Sequence, residues 1–283
     1  MKLLTSPPSL APLYARAALT GRLHRGDTLP DSVYALTDQV IRLDHLAAYQ
    51  RVCGFRVTDE VPATYLHVLA FPVSVALMLE RGFPFPLVGL VHVANAITVI
   101  RPVRCGESVS FRVRAADLRT HPAGRQLDVV AEASAAGELV WSSRSTYLRR
   151  EKPTAPRAGN NTQSAEPLGS ISLVPVPENI GRKYAAVSGD RNPIHLHALT
   201  ARPFGFGRAI AHGMWLEART LACLEGRLPD AYTVEVTFKA PVLLPSAVRM
   251  ATERAADGWR LDVRAACSDK PHLAGRVRAG TSA

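Results

Sequence analysis

The sequence has no long apolar run, few cysteines and few aromatic side chains, and each shortage excludes a class of protein. No apolar stretch approaches the roughly 20 residues that a membrane-spanning helix needs, and the N-terminal residues lack the apolar centre of a signal peptide. The four cysteines are scattered, without the spacing of a metal site or a disulfide framework. We therefore expect a soluble cytoplasmic protein with reduced thiols, and no membrane partner.

Acidic residues are also in short supply. The chain has 34 Lys and Arg against 24 Asp and Glu, a formal net charge of +10. Such an excess can indicate nucleic acid, an anionic membrane, or an acidic substrate or carrier as partner. The basic residues are spread along the chain and only 6% of residues are aromatic. Nucleic-acid binding would rest on charge alone, so we do not expect it.

The 283-residue chain does contain two weakly similar halves around a linker. Residues 151–169 are rich in Pro, Gly, Asn, Ser and Thr, which is typical of a linker, and they separate residues 1–150 from residues 170–283. Three features recur in the same order in both halves. The pattern Tyr-x-x-Val-small-Gly occurs at 49–55 and again at 184–190, and two prolines ten residues apart, Pro62 and Pro72, are matched by Pro193 and Pro203. The segment 101–109 is similar to the segment 240–248. Together they indicate an ancient duplication.

Both halves show a helical segment followed by strands. Apolar residues recur at helical spacing after residue 212, and Gly226 with Pro229 is expected to close that helix. Alternating patterns predict strands within 232–239 and 259–267, and within 109–115 and 127–135 of the first half. The pattern predicts an α+β fold in which each half wraps a curved antiparallel sheet around a helix. Pairing the two sheets edge to edge would place a groove where they meet.

The segment SGDRNPIH, residues 188–195, places Asp190 and His195 on either side of an Asn-Pro turn. Because Pro193 fixes its own φ and Asn-Pro favours a turn, the carboxylate and the imidazole can reach one point. Such a pair can hold and activate one water molecule by general acid–base catalysis. The simpler alternative is that Asp190 caps a helix and His195 is an ordinary loop residue.

A second candidate feature lies where the helix begins, near His212 and Gly213. The first N–H groups of a helix have no partner within it and lie at the positive end of its dipole, so they can stabilise a developing negative charge. Gly213 would let a substrate approach the backbone closely. Tight packing against the sheet is the alternative for Gly213, and a satisfied core histidine is the simpler interpretation of His212.

Residues 184–215 closely resemble the signature of the MaoC-like (R)-specific enoyl-thioester hydratases, which is Asp-x-Asn-Pro-[Ile/Leu]-His, then Ala, Phe-Gly and Ile-Ala-His-Gly-Met. The matching residues are Asp190, Asn192, Pro193, Ile194, His195, Ala201, Phe204, Gly205, Ile210, Ala211, His212, Gly213 and Met214. The layout of the whole chain is similar to that of actinobacterial double-hotdog 3-hydroxyacyl-thioester dehydratases. The resemblance implies a double hotdog, with two repeats that each wrap an antiparallel sheet around a central helix.

The resemblance also implies a reaction, the reversible syn hydration of trans-2-enoyl thioesters to (R)-3-hydroxyacyl thioesters in fatty acid or related acyl metabolism. Asp190 and His195 would activate the water, and the Gly213 N–H would bind the thioester oxygen. The residues implied to lie against the substrate are Asn192, Ala211, His212 and Met214. No metal or organic cofactor is expected, because the polarised thioester itself acidifies C2.

The first half departs from this signature. Phe55 stands where Asp190 stands, and the position of His195 falls on Glu60 or Thr64, depending on the gap. We therefore expect this half to be catalytically inactive. Its segment 65–89 is bulky, apolar and interrupted by three prolines, so a short or broken central helix would leave a tunnel for an acyl tail. Plain core packing is the alternative.

The expected partner is an acyl-CoA or acyl-carrier-protein thioester. Lys239, Arg208 and Arg202 are candidate contacts for its phosphates or acidic face, but we favour a solvated surface position for each of them, because Lys and Arg are usually exposed. A homodimer is the favoured state of association. The rival functions are a hotdog acyl-CoA thioesterase and a non-catalytic acyl-thioester binding module.

Overall fold

The computed structural model describes residues 1–20, 27–151 and 169–280, so most of the predicted linker lies outside the described residues. The first half contains β1 (Lys2–Leu4), α1 (Leu10–Thr20), β2 (Val33–Val40), α2 (Leu43–Cys53), α3 (Ala63–Met78), β3 (Leu90–Val99), β4 (Ser108–His121), β5 (Gly124–Ala135) and β6 (Glu138–Arg150). The second contains β7 (Ser170–Val176), α4 (Ile180–Ser188), α5 (Pro193–Leu196), α6 (Ala198–Ala201), a 3₁₀ turn (Arg202–Phe204), α7 (Gly213–Ala222), β8 (Tyr232–Phe238), β9 (Ser246–Ala255), β10 (Gly258–Ala265) and β11 (Pro271–Ala279).

The strands form one sheet in the order β1-β2-β4-β5-β6-β3-β8-β11-β10-β9-β7. Neighbouring strands are antiparallel except for the parallel pair β1–β2. The two halves join through β3 and β8, where Asn95 lies opposite Val236. The predicted α+β fold is therefore confirmed, and its two sheets are continuous edge to edge. No helix in the described ranges is long and apolar enough to cross a membrane.

The helix α3 corrects one prediction, because the central helix of the first half is neither short nor broken. It runs for 16 residues, against 10 for α7, and continues through Pro72. A proline inside a helix costs about 3 kcal/mol. Burying one Val, Leu or Met side chain contributes roughly 1.5–3 kcal/mol, and α3 buries three Val, two Leu and one Met. Tertiary burial on nearly every side of the helix therefore outweighs the proline.

The repeated Tyr-x-x-Val-small-Gly segments both mark the end of a helix. Helices α2 and α4 are each closed by a glycine in the left-handed conformation, Gly54 at φ 79° and Gly189 at φ 73°. The rings of Tyr49 and Tyr184 from the two segments lie 6.2 Å apart. The sequence similarity at these positions thus corresponds to equivalent structure.

Beyond these glycines the two halves diverge. Residues 54–62 lead directly from α2 to α3, whereas residues 189–212 connect α4 to α7 and contain α5 and α6. Pro62 therefore precedes a central helix while Pro193 opens α5, and the matched proline spacing does not reflect equivalent positions. The placement of His195 on Glu60 or Thr64 is also wrong, because the short connection of the first half is fully described and contains no counterpart of α5.

The strand predictions within 232–239, 259–267, 109–115 and 127–135 are confirmed by β8, β10, β4 and β5.

The predicted end of α7 is late. The helix ends at Ala222 because the next N–H groups donate to carbonyl oxygens only three residues back. The Cys223 N–H donates to Thr220 and the Leu224 N–H donates to Leu221. Gly226 lies within the tight turns that follow the helix and does not end the helix itself.

Candidate active site

Asp190 lies at the exit of α4, where the chain turns at Gly189. The turn is held by local hydrogen bonds, because the Asp190 N–H donates to Ser188 Oγ at 3.2 Å and the Asn192 N–H donates to Asp190 Oδ1 at 3.1 Å. The side chain that caps α5 belongs to Asn192, whose Oδ1 accepts from the Ile194 N–H at 3.5 Å. The capping role considered for Asp190 therefore falls to its neighbour, and the Asp190 carboxylate faces the cavity described below.

His195 is buried on the short helix α5. Its Nδ1 lies 2.8 Å from the Ile210 carbonyl oxygen. A carbonyl only accepts, so Nδ1 carries the proton and Nε2 presents a lone pair. Gly181 on α4 permits this position, since a Cβ there would lie 1.9 Å from the His195 carbonyl oxygen. The sequence interpretation missed Gly181. A glycine within an amphipathic helix was the signal that could have indicated close packing at this position.

His212 stacks on His195, with ring centroids 3.7 Å apart and planes inclined by 25°. Its Nε2 donates to the Asp190 carbonyl oxygen at 3.0 Å and lies 3.8 Å from Oδ2 of the same residue. Burial, together with the neighbouring His195, lowers the pKa of His212 to about 3, so the ring is neutral. His212 is buried, as expected of a core histidine, but it is not fully satisfied, because its Nδ1 has no hydrogen-bond partner among the described residues. It also contacts both Asp190 and His195.

Asp190 is ionised and His195 is neutral at neutral pH. Burial alone would raise the pKa of Asp190, but four smaller effects together lower it below its ordinary value. They are the neighbouring His212 and His195, the hydrogen bond from the Tyr14 hydroxyl at 2.8 Å, and the hydrogen bond from the Asn192 N–H. Burial lowers the pKa of His195, with Asp190 opposing that effect. The site therefore holds a carboxylate beside an uncharged imidazole.

The side chains of Asp190, His195 and His212 bring potential ligand atoms within 4.8 Å of one another. Two imidazoles and a carboxylate are a donor set that zinc accepts. However, bonds from imidazole to a metal lie in the ring plane, and nearly parallel stacked rings direct their lone pairs side by side rather than to one point. A water molecule that bridges the carboxylate and the imidazole fits the same separation without such convergence.

Gly213 is the first residue of α7, as predicted. Its N–H has no acceptor within the helix because it belongs to the first turn, and the residue lines the cavity. A Cβ at this position would lie 3.1 Å from Phe238 Cε1. The glycine therefore permits close packing against β8 as well as close approach of a ligand.

A cavity of about 550 Å³ connects the site to the first half. The residues that the sequence placed at the site all line it: Asp190, Asn192, His195, Ala211, His212, Gly213 and Met214. Its remaining walls are mostly apolar and include Val68 and Phe71 of α3. Lys239 also lines the cavity, whereas Arg208 and Arg202 lie outside it, with Arg208 donating to the Pro245 carbonyl oxygen at 3.1 Å.

The first half contributes polar side chains that the sequence interpretation missed. Tyr14, His67, His92 and Tyr147 line the cavity. The ring of His92 stacks on Tyr147 at 4.7 Å and lies 6.2 Å from His67. Burial lowers the pKa of His67 to about 4 and that of His92 to about 3. These residues belong to four separate elements without a local motif, so no sequence pattern could have assembled them.

The chain resembles known proteins over nearly its whole length. A family model described as MaoC like domain matches residues 160–267. The chain is 36% identical to 3-hydroxyacyl-thioester dehydratase X of Mycobacterium tuberculosis, over 97% of this chain and 99% of that protein. The crystal structure of HtdX from the same organism aligns with a TM-score of 0.79 at 34% identity, covering 88% of this chain and 100% of that one.

The fold extends to more distant structures. A conserved hypothetical protein of M. tuberculosis, described as a double hotdog, aligns with a TM-score of 0.55 at 13% identity, covering 89% of this chain and 97% of that one. This likeness confirms the double-hotdog fold. The 36% identity found over almost the entire chain, together with the match of the family model, shows that the protein belongs to the MaoC-like family.

Proposed function

We propose that this protein hydrates trans-2-enoyl thioesters reversibly to (R)-3-hydroxyacyl thioesters, and so acts as a 3-hydroxyacyl-thioester dehydratase in the reverse direction. The observation that carries the proposal is the pairing of an ionised Asp190 with a neutral His195 at a largely apolar cavity, beside the N-terminus of α7. The name of the M. tuberculosis relative, 3-hydroxyacyl-thioester dehydratase X, supports the same reaction.

In the proposed mechanism, one water molecule lies between the Asp190 carboxylate and His195 Nε2. Asp190 accepts one hydrogen bond from the water and orients it. His195 Nε2, whose lone pair is free because Nδ1 donates to Ile210, takes the other proton as the water oxygen bonds to C3. The imidazolium then returns that proton to C2. The net change is the addition of one water molecule across the double bond. The hydroxyl group adds to C3 and the proton to C2 from the same face, because Asp190 and His195 would both lie on that face.

The negative charge that develops on the thioester oxygen during attack would be held by the Gly213 N–H. This group lies at the positive end of α7 and is fixed before the reaction begins, so it need not reorganise as charge develops. No metal is required in this scheme, because the polarised thioester makes C2 acidic enough for an imidazole. Dialysis against EDTA is therefore expected to leave activity unchanged, and loss of activity restored by zinc would contradict the scheme.

The first half would accommodate the acyl chain. Val68 and Phe71 of α3 and Leu90 of β3 line the cavity, and burying a methylene against such residues contributes about 0.8 kcal/mol. This lining supports a tunnel for the acyl chain, which would lie beside the continuous α3 rather than in a gap within a broken helix.

The acyl carrier and the cellular setting are also part of the proposal. Lys239 and Arg150 are exposed and line the cavity, where they can contact the phosphates of coenzyme A or an acyl-carrier protein. The four cysteines are free, which supports the cytoplasm as location. A homodimer remains a prediction, and light scattering of the purified protein would measure its mass.

The decisive experiment follows the loss of enoyl absorbance with crotonyl-CoA and longer trans-2-enoyl-CoA substrates, with chiral analysis of the product. Asp190→Asn and His195→Ala are expected to lower kcat by about 10²–10⁴-fold, the typical contribution of a positioned acid or base. Asp230→Asn and His197→Ala change exposed residues of the same types and should retain activity.

Two other outcomes would contradict the proposal. Release of free coenzyme A without hydration would identify a thioesterase, and binding without turnover would identify a non-catalytic module. Circular dichroism of each variant separates loss of chemistry from loss of folding.

A further inference from the structure

The catalytic carboxylate of the second half receives a hydrogen bond from the opposite end of the chain. The Tyr14 hydroxyl on α1 donates to Asp190 Oδ1 at 2.8 Å, across 176 residues of sequence. The same oxygen accepts the Asn192 N–H at 3.1 Å. Two donors on Oδ1 fix the rotation of the carboxylate and leave Oδ2 available to a substrate water.

Helix α1 is held firmly enough to serve this purpose. Ala17 is buried in the core, and Leu10 and Leu13 pack against it. Leu10 also contacts the turn that carries Asp190, since a Cβ added to Gly189 would lie 2.5 Å from Leu10 Cδ1. Leu10 and Tyr14 are four residues apart and so lie on one face of the helix. One face of α1 therefore contacts two consecutive residues, Gly189 and Asp190, at the exit of α4.

We infer that Tyr14 is a positioning residue for Asp190, and that α1 of the catalytically inactive half completes the active site of the other half. This inference rests on the proposed hydratase function. It assigns to the N-terminal segment a role in the chemistry, in addition to the accommodation of the acyl chain by α3.

The electrostatic effect of this contact has a definite sign. Burial raises the pKa of the Tyr14 hydroxyl well above its ordinary value, with Asp190 adding to the effect, so the group remains a donor. Its hydrogen bond lowers the pKa of Asp190. The other titratable groups that influence Asp190 are His195 and His212 in its own half, Tyr184 on α4, His67 on α3, His92 on β3 and Tyr147 on β6. The substitution Tyr14→Phe leaves all of these side chains in the protein.

The test is the pH profile of hydration by Tyr14→Phe, which removes the hydroxyl and keeps the ring. A hydrogen bond to a charged group is strong enough that its loss should lower kcat by about ten- to a hundredfold. KM should change little, and the acidic limb of the kcat/KM profile should move to higher pH because the pKa of Asp190 rises. Incorporation of 3-fluorotyrosine at position 14, which makes the hydroxyl a stronger donor, should move the limb to lower pH.

The matched control is Tyr34→Phe, which removes a phenolic hydroxyl whose partner is Lys2 on the adjacent strand. It should have the activity and pH profile of the wild type. Wild-type kcat and an unmoved acidic limb in Tyr14→Phe would overturn the inference, and so would a rise in KM alone, which would make Tyr14 a substrate contact. If the wild type and Tyr34→Phe also fail to hydrate the substrate, it is the proposed function that fails.

Discussion

His195 and His212 lie face to face, with ring centroids 3.7 Å apart, and each donates its single N–H to a backbone carbonyl, that of Ile210 and that of Asp190. A proton added to either ring would create a buried cation against the other ring. Burial lowers the pKa of both imidazoles, and the stacked His195 adds to this effect at His212. Both rings are therefore neutral, which is the state that leaves His195 Nε2 able to accept a proton from water.

Neutral buried histidines make stability depend on pH. The pKa of His92 is about 3 in the folded protein and 6.5 in a solvated chain, so the unfolded state binds the proton first as pH falls. The free energy of unfolding should fall through this window, with a slope of up to about 1.4 kcal/mol per pH unit for one such histidine. His92→Phe should remove one such slope in urea titrations between pH 7 and pH 5. The exposed control His121→Phe should keep it, and equal slopes in wild type and His92→Phe would contradict the prediction.

Glu217 on α7 gives the opposite dependence. Both carboxylate oxygens are buried without a hydrogen-bond partner among the described residues, and burial raises the pKa of the group from 4.5 to about 8. The folded state holds a proton that the unfolded state releases, so this residue lowers stability as pH rises between those values. Glu217→Gln should raise the free energy of unfolding at pH 8 by roughly 1–3 kcal/mol. The exposed Glu138→Gln should have no effect, and a gain equal at pH 5 and pH 8 would count against this assignment.

Gly213 has two proposed uses that a double variant can separate. Gly213→Ala places a methyl group 3.1 Å from the Phe238 ring and also beside the N–H that would bind the thioester oxygen. We expect kcat/KM to fall by about ten- to a hundredfold, since small displacements of a reacting group are that costly. Phe238→Leu relieves the packing but not the obstruction, so Gly213→Ala with Phe238→Leu should remain impaired. Recovery of activity in the double variant would show that packing alone requires the glycine.

Phe71 on α3 tests whether the acyl chain enters the first half. It lines the cavity and is half-buried. Phe71→Ala should raise the ratio of kcat/KM for a ten-carbon enoyl-CoA to that for crotonyl-CoA, and Phe71→Trp should lower it. Each change should be about tenfold or more, because even one methylene changes specificity by about tenfold in an apolar pocket. Changes in the same direction, or none, would place the chain elsewhere.

Local patterns predicted the features that depend on neighbouring residues. Strand alternation anticipated β4, β5, β8 and β10, and the resemblance of residues 184–215 to a known signature anticipated the double hotdog. The same segment placed Asp190 and His195 together, because the turn between them is closed by its own hydrogen bonds. The start of α7 at Gly213 was likewise predicted from local spacing.

Errors arose where burial or distant contacts outweighed local preference. Three prolines suggested a broken first-half helix, but α3 is continuous because its apolar surface is buried on almost every side. Matching proline spacing suggested equivalent loops, yet the second half contains a connection, residues 189–212, without a counterpart in the short and fully described connection 54–62. Two prolines at the same spacing can occur in unrelated segments, whereas the length of a connection depends on the positions of the two helices that it joins.

The periodicity of the amino-acid sequence determined the α+β fold class, and the resemblance of residues 184–215 to a known signature singled out the pair Asp190 and His195. Only the tertiary structure decided that Tyr14 donates to that carboxylate, that His212 stacks on His195, and that α3 lines the cavity. These contacts join elements far apart in the chain, and their physical cause is the shared burial of side chains whose individual patterns are ordinary.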